Sequence, residues 1–227
     1  MPQFSIIIPA YNEGKYLENT LKSIEQQNIN DYEVLVIANG CADNTLEVAQ
    51  KHKGIRLIGL QEAHVSKARN RGAREANGEV LIFLDADTSL NQNCLKIIQD
   101  TFTNNYSIAT TKVLPNIDKI KYRLAMWSKN AYNLTGFYQG CSGILICRMD
   151  DFLKVGGYQE NIIVKEHRKL ILKLKKIGKY KCLPGYVTTS MRRFEQWGIL
   201  KSSWFWVKKW AENYLGKLSK SDYEKIR

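Results

Sequence analysis

The sequence predicts an α/β domain built on a mainly parallel central sheet covered by helices on both faces. Three observations carry that expectation. Short apolar runs without polar alternation recur as FSIIIPA, YEVLVIANG, GIRLIGL and EVLIFLDAD, and a strand buried on both faces reads as a continuous apolar run. Helix-like segments separate these runs, and strands alternating with helices are the pattern of a parallel sheet. Polar residues gather just after the runs, at 9–13, 39–43 and 85–87. In such sheets a ligand sits beyond the carboxyl ends of the strands, so three polar clusters are expected on one edge.

Each element has its own signal. FSIIIPA is short, β-branched and ended by Pro9, and EGKYLENTLKSIEQQ then places Tyr16, Leu17, Leu21 and Ile24 at helical spacing. YEVLVIANG closes on Asn39-Gly40, after which Asp43 is expected to cap a helix through NTLEVAQKH. GIRLIGL is a third strand, SKARNRGAREANG a short helix stopped at Gly78, and EVLIFLDAD a fourth strand. The second half is less regular. SIATTKVLP reads as a strand, DKIKYRLAMWSKNAYNL as a helix, and GCSGILICR as a strand behind a glycine-rich turn. DDFLKVGGY gives a short helix and turn, followed by VKEHRKLILKLKKIG, a basic helix with Leu170, Leu174 and Ile177 on one face. There is no repeat, low-complexity tract or Pro/Ser-rich linker. One domain is expected over 1–190, with halves 1–111 and 112–190, and a loop with an amphipathic helix over 191–227.

The net charge of +12 on 227 residues is lopsided. Residues 1–111 carry 10 basic and 13 acidic side chains, whereas residues 112–227 carry 24 and 9. Such asymmetry points to an anionic partner for the second half: a phosphate-bearing substrate, nucleic acid or an anionic membrane surface. Nucleic acid is not expected, because the aromatic residues cluster in one tail segment and do not alternate with basic ones across a sheet. A dinucleotide-dependent oxidoreductase is excluded by the lack of G-x-G-x-x-G after the first strand. No run reaches the roughly 20 apolar residues that span a bilayer, and the start MPQFSIIIPAYNEG lacks a basic n-region. Five cysteines without a C-x-x-C pair read as reduced thiols. The expected location is cytoplasmic, with peripheral contact on the inner face of the cell membrane.

The chemistry centres on GEVLIFLDADTSL, where a buried run ends in Asp85 and Asp87, one residue apart. Two aspartates after a strand are ordinary turn chemistry when they stand alone. On a rigid strand end their oxygens also suit Mg²⁺ or Mn²⁺, ions bound by one or two carboxylates together with substrate phosphates. An ion so held would neutralise a departing diphosphate as a Lewis acid.

The neighbours give this D-x-D pair its context. FSIIIPAYNEGKYLENTLKSI, VLVIANGCADNT, SKARNRGAREANGEVLIFLDADT, and later VGGYQEN with KEHRKLILKLKKIG, resemble in order and spacing the family 2 glycosyltransferases, inverting enzymes with the GT-A fold. The resemblance covers roughly residues 3–180. It implies a divalent cation and a nucleotide-diphospho-sugar donor. Pro9, Tyr11, Glu13 and Asn39 would cradle the nucleotide, Arg69 would face it, Asp85 would reach the ribose or a metal-bound water, and Asp87 would bind the metal bridging both phosphates. Many relatives carry aspartate at the position of Asn39, which leaves the base open. Asn39 accepts through its amide oxygen and also donates. Arg71 and Arg74 share a helix with Arg69 and read as solvated charges.

Inversion needs a base that takes the proton from the acceptor hydroxyl. Relatives usually carry Glu-Asp at the start of the helix after the GGF turn, with the aspartate as base. Here the pair is Glu166-His167. Glu166 serves in its place, or His167 does, its reference pKa being near 6.5, or the base function is lost. The last case motivates an alternative reading as a non-catalytic sugar-nucleotide or membrane-binding protein on the same scaffold.

In the tail, SMRRFEQWG puts Arg192 and Arg193 where many relatives close a loop over the diphosphate, and one arginine fork of the pair is expected to contact phosphate. ILKSSWFWVKKWAENYLGKL places Ile199, Leu200, Trp206, Val207, Trp210, Tyr214 and Leu218 on one helical face, with lysines opposite. That composition suits a membrane interface and equally a helix packed on protein. The acceptor, a saccharide or lipid-linked molecule, would meet the basic second half.

Overall fold

The computed structural model describes residues 1–137, 143–161 and 166–198, with 201, 202, 204 and 208 beyond them. Its first half follows the alternation in the sequence: β1 (Phe4–Ala10), α1 (Leu17–Glu25), β2 (Tyr32–Asn39), α2 (Thr45–Gln50), β3 (Ile55–Leu60), α3 (Val65–Glu75) and β4 (Val80–Leu84). Then come β5 (Thr88–Leu90), α4 (Cys94–Thr101), β6 (Tyr106–Pro115), α5 (Ile120–Leu134), β7 (Ile144–Arg148), α6 (Met149–Lys154), α7 (Glu166–Leu174) and β8 (Lys179–Thr189). The strands form one sheet in the order β3-β2-β1-β4-β7-β6-β8-β5.

Strands β1 to β4 are parallel, and so are β6 and β8, whereas β7 runs antiparallel to both β4 and β6, and β5 is antiparallel to β8. The period of two divides the core. Ile6 and Ile8 face a cluster shared with Leu17, Leu21, Leu95 and Tyr122, while Ile7 faces one shared with Leu35, Phe83, Leu170 and Leu174. Helices therefore cover both faces. At Gly72 α3 lies so close to the sheet that an added Cβ would collide with the Ile7 side chain and stand 3.3 Å from Ile37.

Several elements differ from the sequence expectation. β3 is an edge strand with a half-exposed pattern, since only β2 pairs with it. Helix α2 begins after Asn44, and Asp43 acts one residue earlier, its carboxylate accepting from the Thr45 N–H at 3.0 Å. α4, β5 and β8 carry no clear sequence signal. β8 is interrupted by Pro184-Gly185, which the ladder absorbs by skipping from Leu183 opposite Thr111 to Tyr186 opposite Lys112. The described cysteines, Cys41, Cys94, Cys147 and Cys182, are free thiols. The amphipathic helix expected over 199–218 lies outside the described residues, save 201, 202, 204 and 208.

Candidate active site

The carboxyl ends of β1, β2 and β4 adjoin, as the parallel register requires. Side chains crossing between the turns fix their shape. Asn12 sits at φ 54 and its Oδ1 accepts from the Ala42 N–H at 2.8 Å. The Glu13 N–H donates to Thr45 Oγ1 at 2.8 Å and the Gly14 N–H to Asp43 Oδ2 at 3.0 Å. A left-handed asparagine is one of the few non-glycine residues that hold such a turn at low cost. Pro9 and Tyr11 are half-buried at this edge. Asn39 is buried, and its Oδ1 accepts from the His64 N–H at 2.7 Å.

The diacid segment is held from three sides. The Asp85 N–H donates to the Gly143 carbonyl at 2.9 Å, Thr20 Oγ1 to the Ala86 carbonyl at 2.8 Å, and the Ser190 N–H to the Asp87 carbonyl at 3.2 Å. Each carboxylate then meets an arginine. Arg69, buried on α3, donates to Asp85 at 3.0 Å and to Glu166 at 2.6 Å. Its guanidinium lies 5.4 Å from the centre of the Tyr158 ring. Arg192 grips Glu13 through two hydrogen bonds of 2.8 and 2.7 Å, stands 3.0 Å from Asp87, and stacks 4.6 Å over Tyr16.

Asp87 has an unusual electrostatic setting. Burial pushes its carboxyl up to about 6; Arg192 opposes the rise, while Asp85 and Glu13 add to it. Three acids thus share one corner with a guanidinium between two of them. Among the described residues, no group of three or more His, Cys, Asp or Glu side chains could hold a metal ion. The donor set still fits a hard cation that takes its other ligands from phosphates, because both carboxylates offer oxygen and the surplus negative charge at Asp87 lacks a full counterweight.

Glu166 opens α7 and points one oxygen at Arg69. His167 is buried, with Nδ1 3.0 Å from the Tyr158 hydroxyl and Nε2 3.6 Å from Glu166. Burial, and then the charge of Arg69, hold its pKa well below the ordinary value of 6.5, so the ring is neutral at pH 7.

Glu13, Arg69, Asp85, Asp87, Glu166 and Arg192 are therefore brought together in two arginine-centred groups joined by the diacid turn. Arg193 is not, since its guanidinium lies 5.6 Å over the Trp197 ring. Arg71 and Arg74 are exposed, Arg71 pairing with Glu75 at 2.8 Å. Sequence reasoning missed Tyr16 and Tyr158, the aromatic supports of the two arginines. Tyr158 follows the Gly156-Gly157 turn, whose glycines both have positive φ, and that GGY step was the available signal.

A β1–β4 parallel half, a reversed β7 and a diacid turn at the switch define a GT-A fold. The chain belongs to glycosyl transferase family 2, whose sequence model matches residues 5–149. The poly(ribitol-phosphate) beta-N-acetylglucosaminyltransferase TarS of Staphylococcus aureus is 30% identical over 103 residues, 42% of this chain and 18% of that protein. Chondroitin synthase of Escherichia coli is 27% identical over 193 residues, 80% of this chain and 28% of that protein. The chain thus spans less than a third of the length of either relative. The crystal structure of TarS residues 1–349 with UDP superposes at a TM-score of 0.65 and 20% identity, covering 86% of this chain and 63% of that one. The mannosyltransferase PcManGT of Pyrobaculum calidifontis, solved with GDP-Man and Mn²⁺, gives 0.66 and 18%, covering 82% and 56%.

Proposed function

We propose that this chain transfers a sugar, with inversion, from a nucleoside-diphosphate donor to a hydroxyl or lipid-phosphate acceptor, in surface glycan or glycolipid synthesis. The observation that carries the reading is the joining of Asp85, Asp87, Arg69 and Arg192 at the strand ends, with Glu166 tied to the same arginine as Asp85. Family membership supports it, and so do the ligands of the structural neighbours, UDP and GDP-Man.

Pro9, Tyr11, Glu13 and Asn39 line the nucleotide side. Asn39 already accepts a backbone hydrogen bond through its oxygen, so its amide nitrogen is the group it adds for a base. Asp87, with Asp85, would hold Mn²⁺ or Mg²⁺, which when bound supplies neutralisation of the diphosphate. Arg192 then turns from its carboxylates to the phosphates, and its fork suits bidentate contact. Arg193 is assigned no phosphate contact.

Glu166 is the base. It accepts the proton of the acceptor hydroxyl as that oxygen bonds to the anomeric carbon and the diphosphate leaves with the electrons of the broken C–O bond. Arg69 fixes the carboxylate in place. His167 is a positioning residue, because its ring is buried, its Nδ1 is bonded to the Tyr158 hydroxyl, and its lowered pKa makes it a weaker base than an ordinary imidazole. Residues 1–190 form the catalytic domain, 1–111 holding the donor and 112–190 meeting the acceptor at the inner face of the membrane, and Arg192 of the following segment completes the donor site. A thermal-shift panel of nucleotide sugars with and without Mn²⁺, followed by donor hydrolysis, tests the reading. One donor should stabilise the protein in a Mn²⁺-dependent way and be consumed, whereas neither stabilisation nor hydrolysis by any donor would contradict it.

A further inference from the structure

Helix α5 presents a second apolar face that the core does not use. Tyr122, Met126 and Asn133 are buried against the sheet. On the opposite side Ile120, Leu124, Trp127 and Leu134 are 77%, 61%, 69% and 60% exposed, with exposed Ala131 between the last two. Steps of four, three, four and three residues keep all five within roughly 40° of one line along the helix. A stripe of four large apolar side chains over about 22 Å of helix is more than scattered surface hydrophobicity.

The charge around the stripe identifies what it meets. Lys119, Lys121 and Arg123 flank the stripe, Lys129 lies on the far side of the helix, and residues 119–134 contain no acid. Asp118, just ahead of the helix and 3.8 Å from Arg123, offsets one of these charges. Between α5 and strands β6 and β8 runs a cleft of about 370 Å³, lined by Trp127 and Leu134 of the stripe with Lys112, Leu114, Pro115 and Tyr186. Apolar residues including a tryptophan, flanked by lysine and arginine, are the composition that seats a helix in a lipid interface. A second copy would bring like charges together. The tail segment 199–227, with seven basic and three acidic residues, would do the same.

We propose that α5 is a docking face for an anionic phospholipid bilayer, with the apolar stripe entering the headgroup boundary and the flanking cations at the lipid phosphates. The helix that carries the face adjoins the candidate active site on its buried side, where the Tyr122 ring is 6.1 Å from that of Phe194, two residues after Arg192. Docking brings the site to the membrane surface, where a lipid-linked acceptor is found. The inference does not depend on which donor is used, nor on transfer itself.

Co-sedimentation of the full chain with vesicles of equimolar phosphatidylglycerol and phosphatidylcholine, or of phosphatidylcholine alone, is the test. The protein should pellet with the anionic vesicles and much less with the neutral ones. Leu124→Ser/Trp127→Ser and, separately, Lys121→Glu/Arg123→Glu should each weaken partition by about tenfold or more. All four side chains are exposed, so the thermal midpoint should not move. Failure of the wild type to pellet, equal pelleting with neutral vesicles, or wild-type pelleting of both double variants would overturn the proposal. The last outcome would assign binding to the tail, which the variants leave intact. A dimer in light scattering that Leu124→Ser/Trp127→Ser converts to monomer without loss of vesicle binding would make the face a self-association surface and would equally overturn it.

Discussion

Arg192 occupies the position where a cation at Asp87 must compete, and replacing it with methionine isolates that competition. Its guanidinium stands 3.0 Å from Asp87 and makes both hydrogen bonds to Glu13. Two unit charges about 4 Å apart attract by about 4 kcal/mol at an effective dielectric constant near 20. Here the attraction is shared between two carboxylates, and the Arg192 and Asp87 side chains are each 18% exposed. About 1–2 kcal/mol remains for Asp87, so Arg192→Met should bind Mn²⁺ roughly 5–30-fold more tightly without nucleotide. The titration, by calorimetry or by loss of the free Mn²⁺ paramagnetic signal, belongs at pH 7.5. Removing the guanidinium raises the Asp87 pKa beyond about 6, and the carboxylate must stay ionised. Under saturating Mn²⁺ the same variant should bind the nucleoside diphosphate more weakly, having lost the fork. Arg192→Lys, which keeps the charge, should stay close to wild type in the first assay and fall short in the second. Unchanged or weaker Mn²⁺ binding by Arg192→Met would refute the competition, and with it Asp87 as a ligand.

Glu166→Gln should lower turnover by about a hundredfold or more with donor binding retained, whereas His167→Ala should keep a substantial fraction of turnover; steady-state kinetics of the two variants checks this, and the reverse ranking would make His167 the base. Asn39→Asp keeps the acceptor to the His64 N–H and replaces an amide donor with a carboxylate. It should shift preference by about tenfold or more toward a base that presents a ring N–H, read by competition between uridine and cytidine diphosphates. His52 lies between Glu18 at 3.0 Å and Glu25 at 2.7 Å. Burial opposes its charge, but the hydrogen bonds to the two glutamates outweigh that and raise its pKa above 6.5. The folded state therefore holds the proton more tightly, and this stabilisation is present below pH 6.5 and lost as pH rises through the raised pKa. Melting temperature across pH 5.5–8.5 should show that decline, and His52→Gln should lack it.

The first half of the fold was legible because local and global signals agree there. Ile6, Ile7 and Ile8 are buried on both faces of one strand, and Gly40 turns the chain with φ +69 after Asn39. β8 was hidden because Pro184-Gly185 reads as a break, and only its pairing with β6 makes a strand of it. β5 has three residues, too few for any periodicity. Glu13, Asn39, Asp85 and Asp87 were legible as polar residues after strands, whereas Arg69, Glu166 and Arg192 were singled out only through the family resemblance. Their partnerships were not legible, since Arg192 meets Glu13 across 179 positions of sequence and Arg69 meets Glu166 across 97. The neutrality of His167 follows from its burial beside Arg69, which no local pattern encodes.

Anomalous scattering from a crystal soaked with manganese and nucleoside diphosphate reads the corner formed by Asp85 and Asp87 directly. A manganese peak bonded to Asp87 and to both phosphates, with Arg192 turned onto the diphosphate, is the expected result. A nucleotide bound with no manganese near Asp87, or one lodged away from the ends of β1, β2 and β4, would contradict it.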